Sequence, residues 1–339
     1  MRELGLMNEI ELQPMLLALA AREGPVREWR TERLKSNVHR LSYETAAGAR
    51  SCIVKRLGPD TAHRNRMVLQ RLLPALSLQR LGPLLLATAS DAAGERVWHA
   101  YEDLGASQLD PAAPDPVRVG AAVDAITALH TGFAEHALLG ECRLWGGDLG
   151  APFFAANVRD AIRAVRALRA PGGERAELRD RLLARLERLR GEVAERSAQL
   201  EAFGETLLHG DLWPQNFVHD GDRVRLIDWD HAGVGPLVYD LSTFLQRFPA
   251  DARHWILALY RERIGQHGVR LPSDAELNLA CDTAERARIS NRVIWPALAA
   301  DGERADACFL QLAEIEGWFA DLTPVLPPHG AVPTPAQRH

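Results

Sequence analysis

The chain has 339 residues, 47% of them apolar, and a net charge of −5 at pH 7. That length exceeds the usual single domain and allows a sizeable core, so two lobes are expected. The modest negative charge, with no lysine- or arginine-dense block, excludes a main role on nucleic acid or on an anionic membrane surface.

The four cysteines, Cys52, Cys142, Cys281 and Cys308, are scattered without CxxC spacing. This argues against a zinc site or a disulfide framework and for a reducing, cytoplasmic setting. An apolar patch spans Met15 to Ala21, but Glu3, Glu9 and Glu11 precede it where a signal peptide would carry positive charge. No apolar run reaches the roughly 20 residues that cross a bilayer, so a soluble chain is expected. Among all basic residues only Lys35 and Lys55 are lysines. A genome-wide arginine bias explains the rest, and a lysine that survives it points to a place where a guanidinium would not fit.

In chain order, residues from Trp29 to Leu57 read as short strands. Val38 to Tyr43 and Ser51 to Lys55 flank the turn Ala46-Ala47-Gly48, which predicts a hairpin. Thr61 to Leu73 has helical spacing, with Pro74 as a stop. Leu84 to Ala87 and Arg96 to Tyr101 are strand-like around Ala93-Gly94. After Leu104-Gly105 long helices are expected over Val117 to His130, Pro152 to Leu168 and Glu174 to about Phe203. The last carries Leu178, Leu182, Leu186, Leu189, Val193 and Leu200 at spacings of three, four and seven, the mark of an amphipathic helix packed on its own domain. A β-island covers Leu207 to Asp230, and helices resume from Tyr239 to about Phe319. The tail from Thr323, rich in proline and polar residues, is expected to be disordered or draped on the surface.

The informative stretch is His209-Gly210-Asp211-Leu212-Trp213-Pro214-Gln215-Asn216, followed by Ile227-Asp228-Trp229-Asp230. Two apolar strands, Phe217 to His219 and Val224 to Ile227, surround the turn signal Asp220-Gly221. An antiparallel hairpin sets the residue entering its first strand beside the one leaving its second, so Asn216 and Asp228 meet at one end. Asp211 stands in the loop feeding that end. Oxygen ligands that leave room for phosphate oxygens suit Mg²⁺, and two carboxylates in one place call for a cation. Asn216 and Asp228 are therefore assigned to the metal, and Asp211 to an incoming hydroxyl as hydrogen-bond acceptor and general base.

The His-Gly-Asp-x-x-x-x-Asn run with Ile-Asp-x-Asp resembles the catalytic loop and metal-binding segment of the aminoglycoside phosphotransferase and choline kinase-like family. That resemblance implies an α+β, two-lobed, protein-kinase-like fold: a small N-terminal antiparallel β lobe with one helix, then a larger, mostly helical C-terminal lobe, with nucleotide in the cleft between them. The expected division is 1–103 for nucleotide binding, 104–322 for catalysis and substrate, and 323–339 for a proline-rich tail. The implied reaction is Mg²⁺-dependent transfer of the γ-phosphate of ATP or GTP to a hydroxyl of a small molecule, whether aminoglycoside, choline-like amine, sugar or other alcohol.

The resemblance also distributes roles. Lys55, ending an apolar strand, matches the lysine that neutralises α- and β-phosphate oxygens; an edge-strand lysine reaching water is the other reading. Ser36 and Asn37, in Lys35-Ser36-Asn37-Val38, fall where the phosphate-covering loop belongs, although the usual glycines are missing and a plain hairpin turn fits as well. Glu102, Asp103 and Leu104 resemble the hinge whose backbone reads the adenine edge. His209 is expected to brace the catalytic loop, and His130 to pack and hydrogen-bond. Gly235-Pro236 and Tyr239-Asp240-Leu241 match the segment after the metal aspartate, with Asp240 capping a helix or holding the catalytic loop, and Asp230 in support. The chain departs from the pattern at His63-Arg64-Asn65, where a helix glutamate should pair with Lys55.

That departure is the ground for an alternative, a catalytically impaired pseudokinase that binds nucleotide or regulates. An interaction protein built on the Glu174 to Phe203 helix is a further alternative, which exposure of its leucine stripe would favour. A protein kinase fits poorly, since no Asp-Phe-Gly or Ala-Pro-Glu segment frames an activation loop. Arg288 and Arg292, four apart on one helix face, suit either an anionic substrate or salt bridges with neighbours such as Glu285. The acceptor and the oligomeric state are not legible.

Overall fold

A computed structural model describes residues 9–170, 172–221, 223–300 and 304–326. By contact the chain divides into two compact units, Met1–Asp110 with Pro214–Ala232, and Pro111–Trp213 with Gly233–His339.

The first unit begins with helix α1 (Glu9–Glu23), then strands β1 (Arg27–Lys35), β2 (Val38–Thr45) and β3 (Gly48–Leu57). Helix α2 (Pro59–Met67) runs through a π-helical turn, Val68–Leu72, into the short α3 (Leu73–Ala75), before β4 (Leu85–Ser90) and β5 (Val97–Glu102). The five strands form one antiparallel sheet in the order β1-β2-β3-β5-β4. Thr45 pairs with Gly48, so the turn is Ala46-Ala47, and Gly48, expected in the turn, opens β3 at φ 104°, which a side chain would strain. Alternation along β2 and β3 sends Leu41, Tyr43, Cys52 and Val54 into one core with Trp98 and Ala100 of β5.

Met15 and Leu19 of α1 complete that core. The apolar patch in the N-terminal sequence is therefore one face of a packed helix, read from i,i+4 spacing that Pro14 had obscured. Pro74 lies in the last helical turn, and the helix ends one residue beyond it, at Ala75.

The second unit carries α4 (Pro116–Phe133), α5 (Leu139–Trp145), α6 (Ala151–Ala167), α7 (Gly173–Gly191), α8 (Val193–Glu201) and β6 (Glu205–Leu208). The chain then returns to the first unit for the hairpin β7 (Phe217–Asp220) and β8 (Arg223–Leu226). Beyond it come β9 (Gly233–Pro236), α9 (Val238–Gln246), α10 (Ala250–Gly265), α11 (Asp274–Ala299) and α12 (Ala305–Asp321). Local chemistry sets the ends: Asp115 caps α4 by accepting from Val117 and Arg118 N–H at 2.8 and 3.1 Å, and Ser273 with Glu276 forms a capping box on α11.

The helix expected over Glu174 to Phe203 is two helices that break at Glu192, although the apolar spacing runs on from Leu189 to Val193. Leu178, Leu182, Leu186, Leu189 and Leu200 are buried, so this stripe is core and not a docking face. The tail's first residues are anchored: Asn278 Oδ1 accepts from Leu326 N–H at 2.8 Å, and Val325 and Leu326 are buried. The rest of the expected tail, 327–339, lies outside the described residues. No disulfide links the four buried cysteines, and no described helix is long and apolar enough to cross a membrane.

Candidate active site

In the first unit the hairpin β7–β8 pairs from Phe217–Leu226 to Asp220–Arg223. Its register is one residue off the simplest expectation. The Asn216 carbonyl accepts from Ile227 N–H at 2.9 Å, so Asp228 lies one position beyond Asn216's partner. Asp228 then leaves the strand in a left-handed turn, φ 70° and ψ 54°, a conformation that costs a non-glycine residue of order 1 kcal/mol or more and that recurs at functional sites. The short helical turn Trp229–His231 follows and presents Asp230. The hairpin is held to the segment before it by Leu226 N–H on the Leu81 carbonyl (2.6 Å) and His219 N–H on that of Ser107 (2.8 Å), and by Arg225, which ion-pairs with Glu102 and donates to the Gly82 carbonyl.

Lys55 lies on β3, the middle strand of the sheet, and is buried. Its ammonium is shared between Asp228, in a short ion pair, and Asp230, whose Oδ2 it meets at 2.7 Å. Burial alone would lower the lysine's pKa, but the two carboxylates outweigh it and raise the value, so the group is charged. This answers the missing helix glutamate. The place on α2 is taken by Asn65, whose Nδ2 donates to Asp230 Oδ1 at 3.0 Å, and by Arg64, which donates to the Asp230 carbonyl. A carboxylate borrowed from after the hairpin holds Lys55, and a neutral amide on the helix holds that carboxylate.

The chain of contacts continues inward. The Tyr101 hydroxyl donates to Asn65 Oδ1 at 3.3 Å, and His99 Nδ1 lies 2.9 Å from that hydroxyl. Having spent its only proton on Asn65, the hydroxyl must accept from His99, which fixes the hydrogen on Nδ1. Burial first, and the charges of Arg66 and Lys55 next, push the His99 pKa down to about 4, which keeps the ring neutral. We expect Asn65→Ala to weaken nucleotide binding by about 3- to 10-fold, the net worth of one ordinary hydrogen bond, since Asn65 acts on the nucleotide only through Asp230. Calorimetric titration checks this, and an unchanged affinity would mean that Asp230 needs no support from α2.

The other nucleotide-side candidates fall around this group. Ser36-Asn37 is a two-residue hairpin turn, closed by the Lys35–Val38 pair. Asn37 exchanges bonds with Arg56, the residue after Lys55: its carbonyl accepts from Arg56 N–H at 2.9 Å and its amide donates back at 3.2 Å. Glu102 ends β5 and accepts from Leu84 N–H at 2.6 Å. Asp103 is committed to Arg40 (2.7 Å) and to Gly105 N–H (3.0 Å). Burial would raise its pKa, but the Arg40 and Gly105 hydrogen bonds bring it below the usual carboxylate range. The Asp103 side chain is thereby committed, at a turn where Gly105 takes φ 75°.

In the second unit, β6 and β9 pair from Glu205–Pro236 to Leu208–Gly233, which sets the His209-Gly210-Asp211 loop beside the first turn of α9. There Asp240, wholly buried, accepts from His209 N–H at 2.7 Å and Gly210 N–H at 2.9 Å. His130 Nε2 stands 3.5 Å from the same carboxylate, at the outer limit of a hydrogen bond, and its Nδ1 meets the Tyr260 hydroxyl at 2.8 Å. Gly210 has φ 81°, so the bend that presents Asp211 depends on glycine. Burial would raise the Asp240 pKa, but the nearby His130 imidazole, His209 and the His209 N–H bring it below the usual range.

Asp211 itself accepts from the Trp213 indole N–H at 2.7 Å, and the Arg247 guanidinium stacks on that indole, 3.5 Å from the ring centroid. Neither Trp213 nor Arg247 stood out in sequence, although an aromatic residue two positions after the candidate base is the signal that was there to read.

Asn216 and Asp228 are hard oxygen donors of the kind Mg²⁺ takes with one or two protein ligands plus phosphates. Asp228 already holds positive charge in the form of the Lys55 ammonium, and this donor set would suit a divalent ion. Among the described residues no cluster of three or more histidine, cysteine or acidic side chains offers a different metal site.

The same architecture recurs in solved structures. A macrolide 2′-phosphotransferase from Brachybacterium faecium aligns over 89% of this chain and 98% of its own, at 18% identity and TM-score 0.58. A spectinomycin phosphotransferase with bound AMP covers 92% and 99%, at 13% identity and TM-score 0.58. A choline/ethanolamine kinase family protein from Mesorhizobium loti covers 88% and 91%, at 17% identity and TM-score 0.50. At such identities these likenesses establish the fold alone, a kinase-like β unit and a mostly helical unit. No curated protein sequence matches the chain. The model of the phosphotransferase enzyme family, however, matches residues 30–277, from β1 into α11 and across every motif described above, and the chain belongs to that family.

Proposed function

We propose that this protein moves the γ-phosphate of ATP or GTP onto a hydroxyl of a small molecule, with Mg²⁺. The observation that carries the reading is Lys55, held charged between Asp228 and Asp230 at the end of the hairpin that also bears Asn216. Residues 1–103 supply the nucleotide contacts, with Lys55 on the phosphates, the Ser36-Asn37 turn near them and the 102–104 backbone toward the base. Residues 104–322 supply the acceptor's site and Asp211.

Asn216 and Asp228 would hold the metal, which when bound neutralises charge on the phosphate oxygens. With Asp228 on the metal, Lys55 would still have Asp230 as a partner to aim it. Asp211, steadied by Trp213, orients the acceptor hydroxyl and takes its proton as the new P–O bond forms and the bond to the departing nucleoside diphosphate breaks; the Asp240 carboxylate keeps the loop in shape. No covalent intermediate on the protein is needed, since phosphoryl transfer depends chiefly on positioning and charge stabilisation.

The test is a stability screen with Mg-ATP and Mg-GTP, followed by assay of phosphate transfer to hydroxyl compounds. A nucleotide at a hundredfold excess over its dissociation constant stabilises the fold by about 2.7 kcal/mol. Nucleotide binding with slow Mg²⁺-dependent hydrolysis supports the enzyme. Binding with neither hydrolysis nor transfer supports the pseudokinase, and no binding at all removes both.

A further inference from the structure

The second unit contains a cavity of about 450 Å³ between α11 and α12, lined by Arg292, Trp295, Arg304, Cys308, Gln311 and Trp318 among others. Its walls combine flat aromatic surface with positive charge. Arg292 lies over the Trp318 ring, 5.3 Å from the centroid, and Trp295 is 70% exposed, a large cost in apolar area unless a ligand covers it. No aspartate or glutamate among the described residues lines the cavity, and among them no ion pair holds Arg292 or Arg304.

The neighbouring helix position differs. Arg288, one turn earlier on α11, is buried, ion-paired with Glu285, stacked on Tyr239 and bonded to the Tyr239 carbonyl at 2.9 Å. Arg288 is thereby a structural residue, and of the two arginines only Arg292 offers its charge to the cavity.

Helix α11 also reaches the loop of the proposed base. Arg288, one turn before Arg292, donates to the Tyr239 carbonyl at 2.9 Å, and the next residue, Asp240, holds the His209 and Gly210 N–H groups that precede Asp211.

We infer that this cavity receives the acceptor and selects a ring-bearing alcohol that carries an acidic group. Trp295 and Trp318 would cover its ring and Arg292 would pair with its carboxylate or equivalent anion, bidentately as a guanidinium does. A polycationic aminoglycoside is disfavoured, since among the described lining residues it would meet two arginines and no acid. The inference rests on the phosphotransfer reading for the word acceptor, but not for the ligand's chemistry.

The test is calorimetric titration of the full chain, without nucleotide, with three probes: 2-naphthyl β-D-glucuronide, the neutral 2-naphthyl β-D-glucoside, and kanamycin. The expected result is glucuronide binding at least about tenfold tighter than glucoside, the worth of one charge-assisted hydrogen bond, with no binding of kanamycin. Arg292→Gln, at an exposed position, is expected to erase the preference for the glucuronide, and Trp295→Ala to weaken both glycosides, with circular dichroism unchanged. Equal binding of the two glycosides, tighter binding of kanamycin, or a preference that survives Arg292→Gln overturns the inference. Arg292-dependent binding without phosphate transfer to the bound glycoside would leave the cavity's selectivity standing and count against phosphotransfer. Transfer to some other alcohol, with no glycoside bound, would do the reverse.

Discussion

Asp211→Asn is expected to lower phosphate transfer by about 10²–10⁴, the contribution of a positioned base, while nucleotide affinity stays within about twofold of the wild type. The substitution is nearly isosteric, and the asparagine carbonyl can still accept the Trp213 indole hydrogen that Asp211 accepts at 2.7 Å. Loop shape and the Arg247–Trp213 stack are therefore retained. What is lost is basicity, because a carboxamide cannot take up the proton of the attacking hydroxyl. Since Asp211 carries no assigned nucleotide contact, binding and turnover should separate. Steady-state kcat, with nucleotide Kd from titration, reads both, and undiminished turnover would remove Asp211 as the base.

The second large effect is expected at Asp240. Its two oxygens accept the His209 and Gly210 N–H groups inside a fully buried setting. Asp240→Ala strands both donors, at about 1–3 kcal/mol each, and lets the bend before Asp211 relax. Asp240→Asn is no milder, because its amide has one acceptor oxygen and turns an NH₂ toward the other donor. Both variants should lose several kcal/mol in urea unfolding and lose kcat more than nucleotide affinity.

The pH dependence has a definite sign. With its folded pKa held below the usual 3.8, Asp240 contributes stability that is fully present above that value and is lost as pH falls through the lower one. The gap between wild type and Asp240→Ala should therefore be flat at neutral pH and narrow below about pH 4. A gap that persists unchanged into strong acid would contradict the role.

Much of the site was legible because its parts are local. The β2–β3 and β7–β8 hairpins announce themselves through alternation and turn residues, and the His209 to Asn216 and Ile227 to Asp230 runs lie within a short span of chain. What was not legible depends on distant partners. The Lys55–Asp230 pair joins residues 175 positions apart, so sequence showed Asn65 only as a missing acid and gave no hint that it props a borrowed one. Helix α1 was hidden by Pro14, which interrupts its pattern, and the break at Glu192 by apolar spacing that continues across it. Arg288 and Arg292 look alike on a helical wheel. Only packing reveals that one is buried against Tyr239 and Glu285 while the other faces a cavity.

The direct measurement for the central claim is Mn²⁺ binding, followed by electron paramagnetic resonance, with a non-hydrolysable ATP analogue present. Wild type should bind one Mn²⁺ per nucleotide complex, and Asp228→Ala should lose that ion while its unfolding curve stays cooperative. Equal Mn²⁺ affinity in the two proteins would contradict the account, since residue 228 could then not be the metal's carboxylate.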